Sequence, residues 1–339
     1  MRTRGGQANT GTGMNAGGLG MRPLRFVAVI GVAYAALLLP VRQAHAWGPD
    51  AHRTIALIAD KVLQQSDAAA RGKVQALLAT DKDTRLTKND IASEATWADV
   101  LRDKSQEARI ASSNWHAVRL RADSPELAAA CYGRPPLPSG YPASRGPRNN
   151  CVVDKIEQFQ KELQNPDTMP GERLAALQFL LNLVGDVNDP LLAIDKGDQG
   201  GQCTAVQIGG KPPVRLSTYW QTTLVGEVVG RDPAAGAARL LSSVSPADMQ
   251  SWAAGNPESW AMESYQVAKT VTYAFPADSA AEKAAGSKAP AGKGEPEGCG
   301  EVALYRVGAD YETKALAAVK QQLAKGGLRL AQLLRDSFK

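Results

Sequence analysis

Two histidines, two aspartates and a tryptophan are the residues of this chain best suited to chemistry. His52 and His116 are the imidazoles that follow residue 46. Asp99 lies in Trp97-Ala98-Asp99, with Arg102 three residues on, and Asn182 stands four residues before Asp186. Steps of three and four put helical side chains on one face, so Asp99 pairs with Arg102 and Asn182 with Asp186. Pro190 requires the helix carrying Asp186 to stop close by. Considered singly, each histidine reads as a satisfied structural residue; with carboxylates beside them, the two become candidate ligands of a divalent cation.

Trp47 joins this group through export. Arg22 and Arg25 precede the apolar run Phe26–Leu39, and Ala44-His45-Ala46 forms a small-x-small cleavage site. The run has 14 residues, short of the ~20 that span a bilayer. Cleavage after Ala46 is expected to free the amine of Trp47, about one helical turn from His52. An amine, its own carbonyl and an imidazole together can chelate a metal. The plainer alternative is a tryptophan that packs in the core. Export implies a secreted or periplasmic location, with no membrane span after cleavage. Residues 1–20 are Gly-rich, so Met21 is an alternative start.

Five of the 39 Lys and Arg residues, and none of the 34 Asp and Glu, fall in residues 1–46, so the remainder is balanced at 34 of each. That balance argues against strong non-specific attraction to duplex phosphates. No protein partner is implied. An oxidising location lets Cys131, Cys151, Cys203 and Cys299 form disulfides, and four cysteines allow three pairings. Proximity favours Cys131–Cys151, and elimination then gives Cys203–Cys299.

Helical spacing dominates the elements that must position these residues. Ile55, Ile58, Ala59 and Val62 line one predicted helix, and Leu174, Leu177, Leu181 and Val184 another. Ala315, Val319 and Leu323, then Leu328, Leu330, Leu333 and Leu334, predict a C-terminal helix with a break at Gly326-Gly327. Strand-like alternation is scarce, so the fold class is mostly α. Residues 132–150 and 278–298 read as loop insertions, the first stapled between cysteines and the second of low complexity.

In order and spacing, several motifs resemble the secreted zinc-dependent single-strand nucleases, also called 3′-nucleotidases, whose fold is shared with zinc phospholipases C. They are Trp47-Gly-x-x-x-His52, Thr96-Trp97-Ala98-Asp99-x-x-Arg102, Trp115-His116 and Asn150-Cys151-Val152-Val153. Phe179 through Asp186, Pro190-Leu191 and Gly197-Asp198-x-Gly200-Gly201 follow, then Trp260-Ala261-x-Glu263-Ser264 and Gly327-Leu328-Arg329-Leu330-Ala331. The resemblance implies a single compact helical domain over residues 47–339, following an N-terminal extension and signal peptide at 1–46. It also implies three zinc ions in a cleft.

This chain departs from the family at that cleft. Of nine family ligands, five are matched: Trp47, His52, Asp99, His116 and Asp186. Asn182, Leu192, Ser217 and Gln221 stand where the family has three histidines and an aspartate. The resemblance thus implies one intact site (the terminal amine and carbonyl of Trp47, with His52 and Asp186). A neighbour keeps Asp99, His116 and the bridging Asp186, with Asn182 in fourth position. The third site is lost, unless Asp189, Asp195 or Asp198 substitutes. One or two zinc ions are therefore expected.

The implied activity is a weakened zinc-dependent phosphoester hydrolase acting on single-stranded nucleic acid, nucleotides or related esters, with Asp99, Arg102 and Asp186 catalytic. Arg102 alternatively forms an ordinary helix-surface ion pair. Ala117 and Arg119 replace the aromatic and acidic residues with which fungal members hold a nucleobase, so base recognition is not expected. Two alternatives differ in kind: a catalytically inactive relative that binds metal structurally and a phosphate ligand, and a metal-free helical binding protein.

Overall fold

The computed structural model describes residues 47–276, 282–283, 299 and 302–339. The predicted export segment at 1–46 and most of the insertion at 278–298 lie outside those residues. Helix α1 (Pro49–Ser66) is followed by α2 (Ala68–Leu78), α3 (Ile91–Glu94), α4 (Trp97–Lys104), α5 (Gln106–Ser112) and α6 (Leu127–Ala130). Next come α7 (Val152–Gln164), α8 (Pro170–Asp186), α9 (Pro190–Ala193), α10 (Leu216–Thr218), α11 (Val225–Val229) and α12 (Pro233–Ser242). The last three are α13 (Pro246–Ala253), α14 (Pro257–Val267) and α15 (Ala309–Ser337). A π-type turn at Tyr219–Leu224 joins α10 to α11.

Proline at the first helical position starts α1, α8 and α14, where a missing N–H costs no hydrogen bond. Asp90 caps α3 by accepting from the Ser93 N–H. Helix α8 is buried on every side from Ala176 to Asp186, as an apolar sequence with little one-sidedness demands. Helices α1, α4, α7 and α15 pack around it.

The expected break at Gly326-Gly327 is absent, since α15 runs unbroken through both glycines. Each glycine costs a helix about 1 kcal/mol relative to alanine. A Cβ on Gly327 would lie 2.4 Å from Ile58 Cγ2, and one on Gly326 would lie 3.2 Å from Ile55 Cδ1. The glycines let α1 and α15 approach closely enough to bury both isoleucines, and that burial outweighs the propensity cost.

Short strands supplement the helices. Strands β1 (Leu120–Arg121) and β2 (Ile194–Asp195) pair in parallel. A second sheet has the order β4-β3-β6-β5, from β3 (Thr204–Ile208), β4 (Val214–Arg215), β5 (Glu282–Lys283) and β6 (Ala303–Val307). Strands β3 and β6 pair in parallel from Thr204↔Ala303 to Ile208↔Val307. The Cys203–Cys299 disulfide ties the chain near their starts.

The second disulfide, Cys131–Cys151, staples the loop at 132–150. Lys155 is fully buried beneath that loop, donating to the carbonyls of Ala143 at 2.7 Å and Gly146 at 2.5 Å. Its ammonium lies 3.8 Å from the centre of the Trp115 ring, and burial pushes it down to about 7. The loop thereby braces the residue preceding His116.

Candidate active site

Helices α1, α4 and α8 and the segment before β1 bring His52, Asp99, Asp186 and His116 together. His52 lies in the first turn of α1, and its Nε2 is 3.4 Å from Asp186 Oδ1 and 3.6 Å from Asp99 Oδ2. His116 Nδ1 lies 2.6 Å from Asp186 Oδ2. Asp186 is the hub, turning one oxygen to each imidazole. Asn182, one turn earlier on α8, donates from Nδ2 to Asp99 Oδ2 at 2.9 Å and to the Ala95 carbonyl at 3.0 Å. Arg102 Nη2 donates to Asp99 Oδ1 at 2.9 Å. That i,i+3 ion pair with Asp99 is one the sequence offered for Arg102, and it lies buried rather than on an open helix surface.

Gly185 makes the approach of α1 to α8 possible. A Cβ there would sit 2.7 Å from His52 Nδ1 and 3.0 Å from Cε1. No role for this glycine was legible beyond its place in a motif. Trp47 is fully buried at the entrance to α1, and the adjoining Gly48 N–H donates to the Gln221 carbonyl at 3.3 Å.

Electrostatics separates the two imidazoles. Burial pushes His52 down, but Asp186 and Asp99 outweigh it and hold the ring above the usual imidazole range. His116 goes the other way, because burial and the Arg102 charge outweigh its carboxylate neighbours.

Among the described residues, both ring nitrogens of His52, His116 Nε2, Asn182 Oδ1 and Asp186 Oδ1 are buried without a hydrogen-bond partner. Buried polar atoms left unpaired are costly, and a cation bound among these side chains would relieve part of that cost. Imidazole and carboxylate are zinc donors, so the residues present fit that ion. A tighter cluster at Cys131, Cys151 and Asp154 does not, because its sulfurs are joined in a disulfide.

The remaining predicted ligand positions hold no comparable set. Leu192 packs with Ala117, both 7% exposed, as a small apolar pair. Ser217 is buried, and Gln221 donates from Nε2 to Asp189 Oδ2 at 2.8 Å. The other oxygen of Asp189 accepts from the Leu191 N–H at 2.9 Å, and burial pushes its carboxyl up to about 7. Asp198 is occupied by Thr204 Oγ1 at 2.6 Å and by the Tyr273 hydroxyl at 3.0 Å, while Asp195 is exposed and accepts from the Gly197 N–H. Arg119 is exposed. No helix among the described residues is long and apolar enough to cross a membrane.

Comparison with known proteins adds an independent finding. Residues 47–339 match the family described as S1/P1 Nuclease. Endonuclease 4 of Arabidopsis thaliana is 23% identical over 309 residues, covering 88% of this chain and 91% of that protein. Endonuclease 3 of the same plant is 24% identical, covering the same shares. Nuclease S1 of Aspergillus oryzae is 26% identical over 197 residues, covering 58% of this chain and 60% of that protein.

Proposed function

The chain belongs to the S1/P1 nuclease family, and from that premise we propose that it is an exported zinc-dependent phosphoester hydrolase with a reduced metal site. Family membership supports a nuclease role on single-stranded nucleic acid. A secreted or periplasmic location agrees with the two disulfides. The observation that carries the reading is the buried convergence of His52, Asp99, His116 and Asp186 around unpaired donor atoms.

One ion would be held by the terminal amine and carbonyl of Trp47, with His52 and Asp186. A second would be held by Asp99, His116 and Asp186, with Asn182 Oδ1 in the weaker fourth position. Bound zinc supplies charge stabilisation at phosphoryl oxygens and acidifies water. The protein's part is orientation: Asp186 fixes both rings, and Asn182 and Arg102 fix Asp99. Arg102, fixed on Asp99 through Nη2, brings a positive charge suited to a charge-assisted contact with a phosphate oxygen. Losing the third family site removes several kcal/mol of transition-state stabilisation, a rate cost of ~10³-fold or more. Ala117 turns to Leu192 and offers no stacking surface, so the hydrolase is expected to be indifferent to base.

The test is hydrolysis of single-stranded DNA and of 3′-nucleotides by exported protein with a verified Trp47 N-terminus. Asp99→Asn and His116→Ala should abolish turnover while the protein stays folded. Unchanged hydrolysis in either variant would overturn the assignment.

One observation favours a second reading, that of a catalytically inactive relative binding a phosphate ligand. Asp99 is already satisfied without a cation, by Arg102 on one oxygen and Asn182 on the other. That reading predicts no turnover in zinc-replete protein alongside measurable affinity for inorganic phosphate or a nucleotide.

A further inference from the structure

The last turn of α8, which carries Asp186, is gripped from outside by side chains that take no part in the metal site proposed above. The Ser264 hydroxyl on α14 donates to the Val187 carbonyl at 2.7 Å. Gln322 on α15 donates from Nε2 to the Asn188 carbonyl at 2.9 Å and to Ser264 Oγ at 3.1 Å. Asn188 itself donates from Nδ2 back to the Val184 carbonyl at 2.7 Å, and its Oδ1 accepts from Arg329 Nη1. Asn188, Ser264 and Gln322 are all fully buried, and Arg329 nearly so.

Arg329 is itself held on several sides. Its Nη2 meets Glu263 Oε2 at 2.5 Å, and its Nε donates to the Trp252 carbonyl at 3.2 Å. The guanidinium lies 5.5 Å from the centre of the Trp260 ring. Lys325 Nζ meets the other oxygen of Glu263 at 2.6 Å. These contacts give a physical role to two sequence motifs, Trp260-Ala261-x-Glu263-Ser264 and Gly327-Leu328-Arg329-Leu330-Ala331.

The site explains why such a grip matters. Asp186 is the last residue of α8, so its carboxylate sits at the negative end of the helix dipole. The last turn of α8 has no basic residue of its own. Arg329 brings a fixed positive charge to that end from α15. Both oxygens of Asp186 are turned to imidazoles, so a rotation of the terminal turn would disturb both contacts together.

We propose that Arg329, braced by Glu263, is a positioning residue for Asp186, acting through Asn188 and the terminal turn of α8, and that it thereby sets the affinity of the site for zinc. The inference rests on the metal reading of that site. Outer groups that orient metal ligands change affinity by ~10–100-fold when removed. Lysine in place of Arg329 keeps the charge but cannot reach Asn188, Glu263 and the Trp252 carbonyl together, because it lacks the planar fork.

The experiment measures zinc affinity by chelator competition, and the visible absorption of the cobalt-substituted form, in the wild-type chain and in Arg329→Met, Arg329→Lys and Glu263→Gln. Steady-state hydrolysis of single-stranded DNA is followed in parallel. Arg329→Met should weaken zinc binding by ~10–100-fold, with a shifted cobalt spectrum and a fall in kcat at nearly constant KM. Arg329→Lys should recover part of that loss. Glu263→Gln, a milder change at a residue whose side chain is one-third exposed, should weaken binding by ~3–10-fold. A folded Arg329→Met protein with wild-type zinc affinity and cobalt spectrum would refute the positioning role. If that variant does not fold, unchanged affinity in Glu263→Gln refutes it instead. A wild-type chain that binds no zinc overturns the metal reading and this inference together. Zinc bound equally by wild type and variants overturns this inference alone.

Discussion

Replacing Gly185 with alanine adds one methyl group where α8 meets the His52 imidazole. The new Cβ would lie 2.7 Å from His52 Nδ1, about 0.7 Å inside ordinary contact distance. The ring is fully buried, and Ile55 Cδ1 stands 3.4 Å from the same point, so the imidazole has little room to retreat. Overpacking of this kind costs ~1–3 kcal/mol, while alanine returns about 1 kcal/mol of helix propensity. The net loss of stability is therefore at most ~2 kcal/mol, a few degrees in Tm for a domain of this size. Function should suffer far more. A displacement approaching 1 Å in a site residue costs ~10²-fold in rate, and His52 belongs to the most complete of the proposed ligand sets. The assay pairs thermal unfolding with zinc affinity and kcat/KM on single-stranded DNA. A Gly185→Ala protein with wild-type zinc affinity and rate would refute the claim that His52 is a ligand held by close approach to α8.

Two other perturbations test separate parts of the account. Burial and the nearby Asp81 carboxylate push the Glu94 carboxyl up from its ordinary 4.5 to about 7, despite a hydrogen bond from Gln178. Between those values the unfolded chain is ionised while the folded chain keeps its proton, so this group's contribution falls as pH rises through the window and is level above it. Glu94→Gln should remove that slope, leaving the variant ~2–3 kcal/mol more stable than wild type at pH 8, by urea unfolding across the range. Parallel pH profiles would count against it. Restoring ligand types with Leu192→His, Ser217→His and Gln221→Asp should add about one zinc per chain and raise kcat/KM by ~10³-fold. No added ion would mean that the Asp189 environment excludes a third site.

Much of the site was legible because its spacings are local. The three-residue step from Asp99 to Arg102 is realised as a hydrogen-bonded pair, and the four-residue step from Asn182 to Asp186 as one stripe of α8. That stripe extends a turn further back to Gln178, which donates to Asp81 and Glu94. Nothing local announced this, because both carboxylates reach α8 from more than 80 residues away. The glycine pair in α15 misled for the same reason. Its cost is local, while the compensating contact with Ile55 and Ile58 lies in the first helix. The sheet was invisible because strands of two to five residues carry too little alternation, and its β3–β6 pairing joins distant segments. The grip on α8 was half legible: its motifs stood out, but their target, Asn188, did not.

The central claim is the metal pair proposed for His52, Asp99, His116 and Asp186. It is tested most directly by elemental mass spectrometry of zinc per chain, on exported protein whose N-terminus is verified as Trp47. The account predicts about two ions per chain. A value of zero or one would leave no pair for hydrolysis and favour the phosphate-binding relative, and a value of three would contradict the loss of the site at Leu192, Ser217 and Gln221.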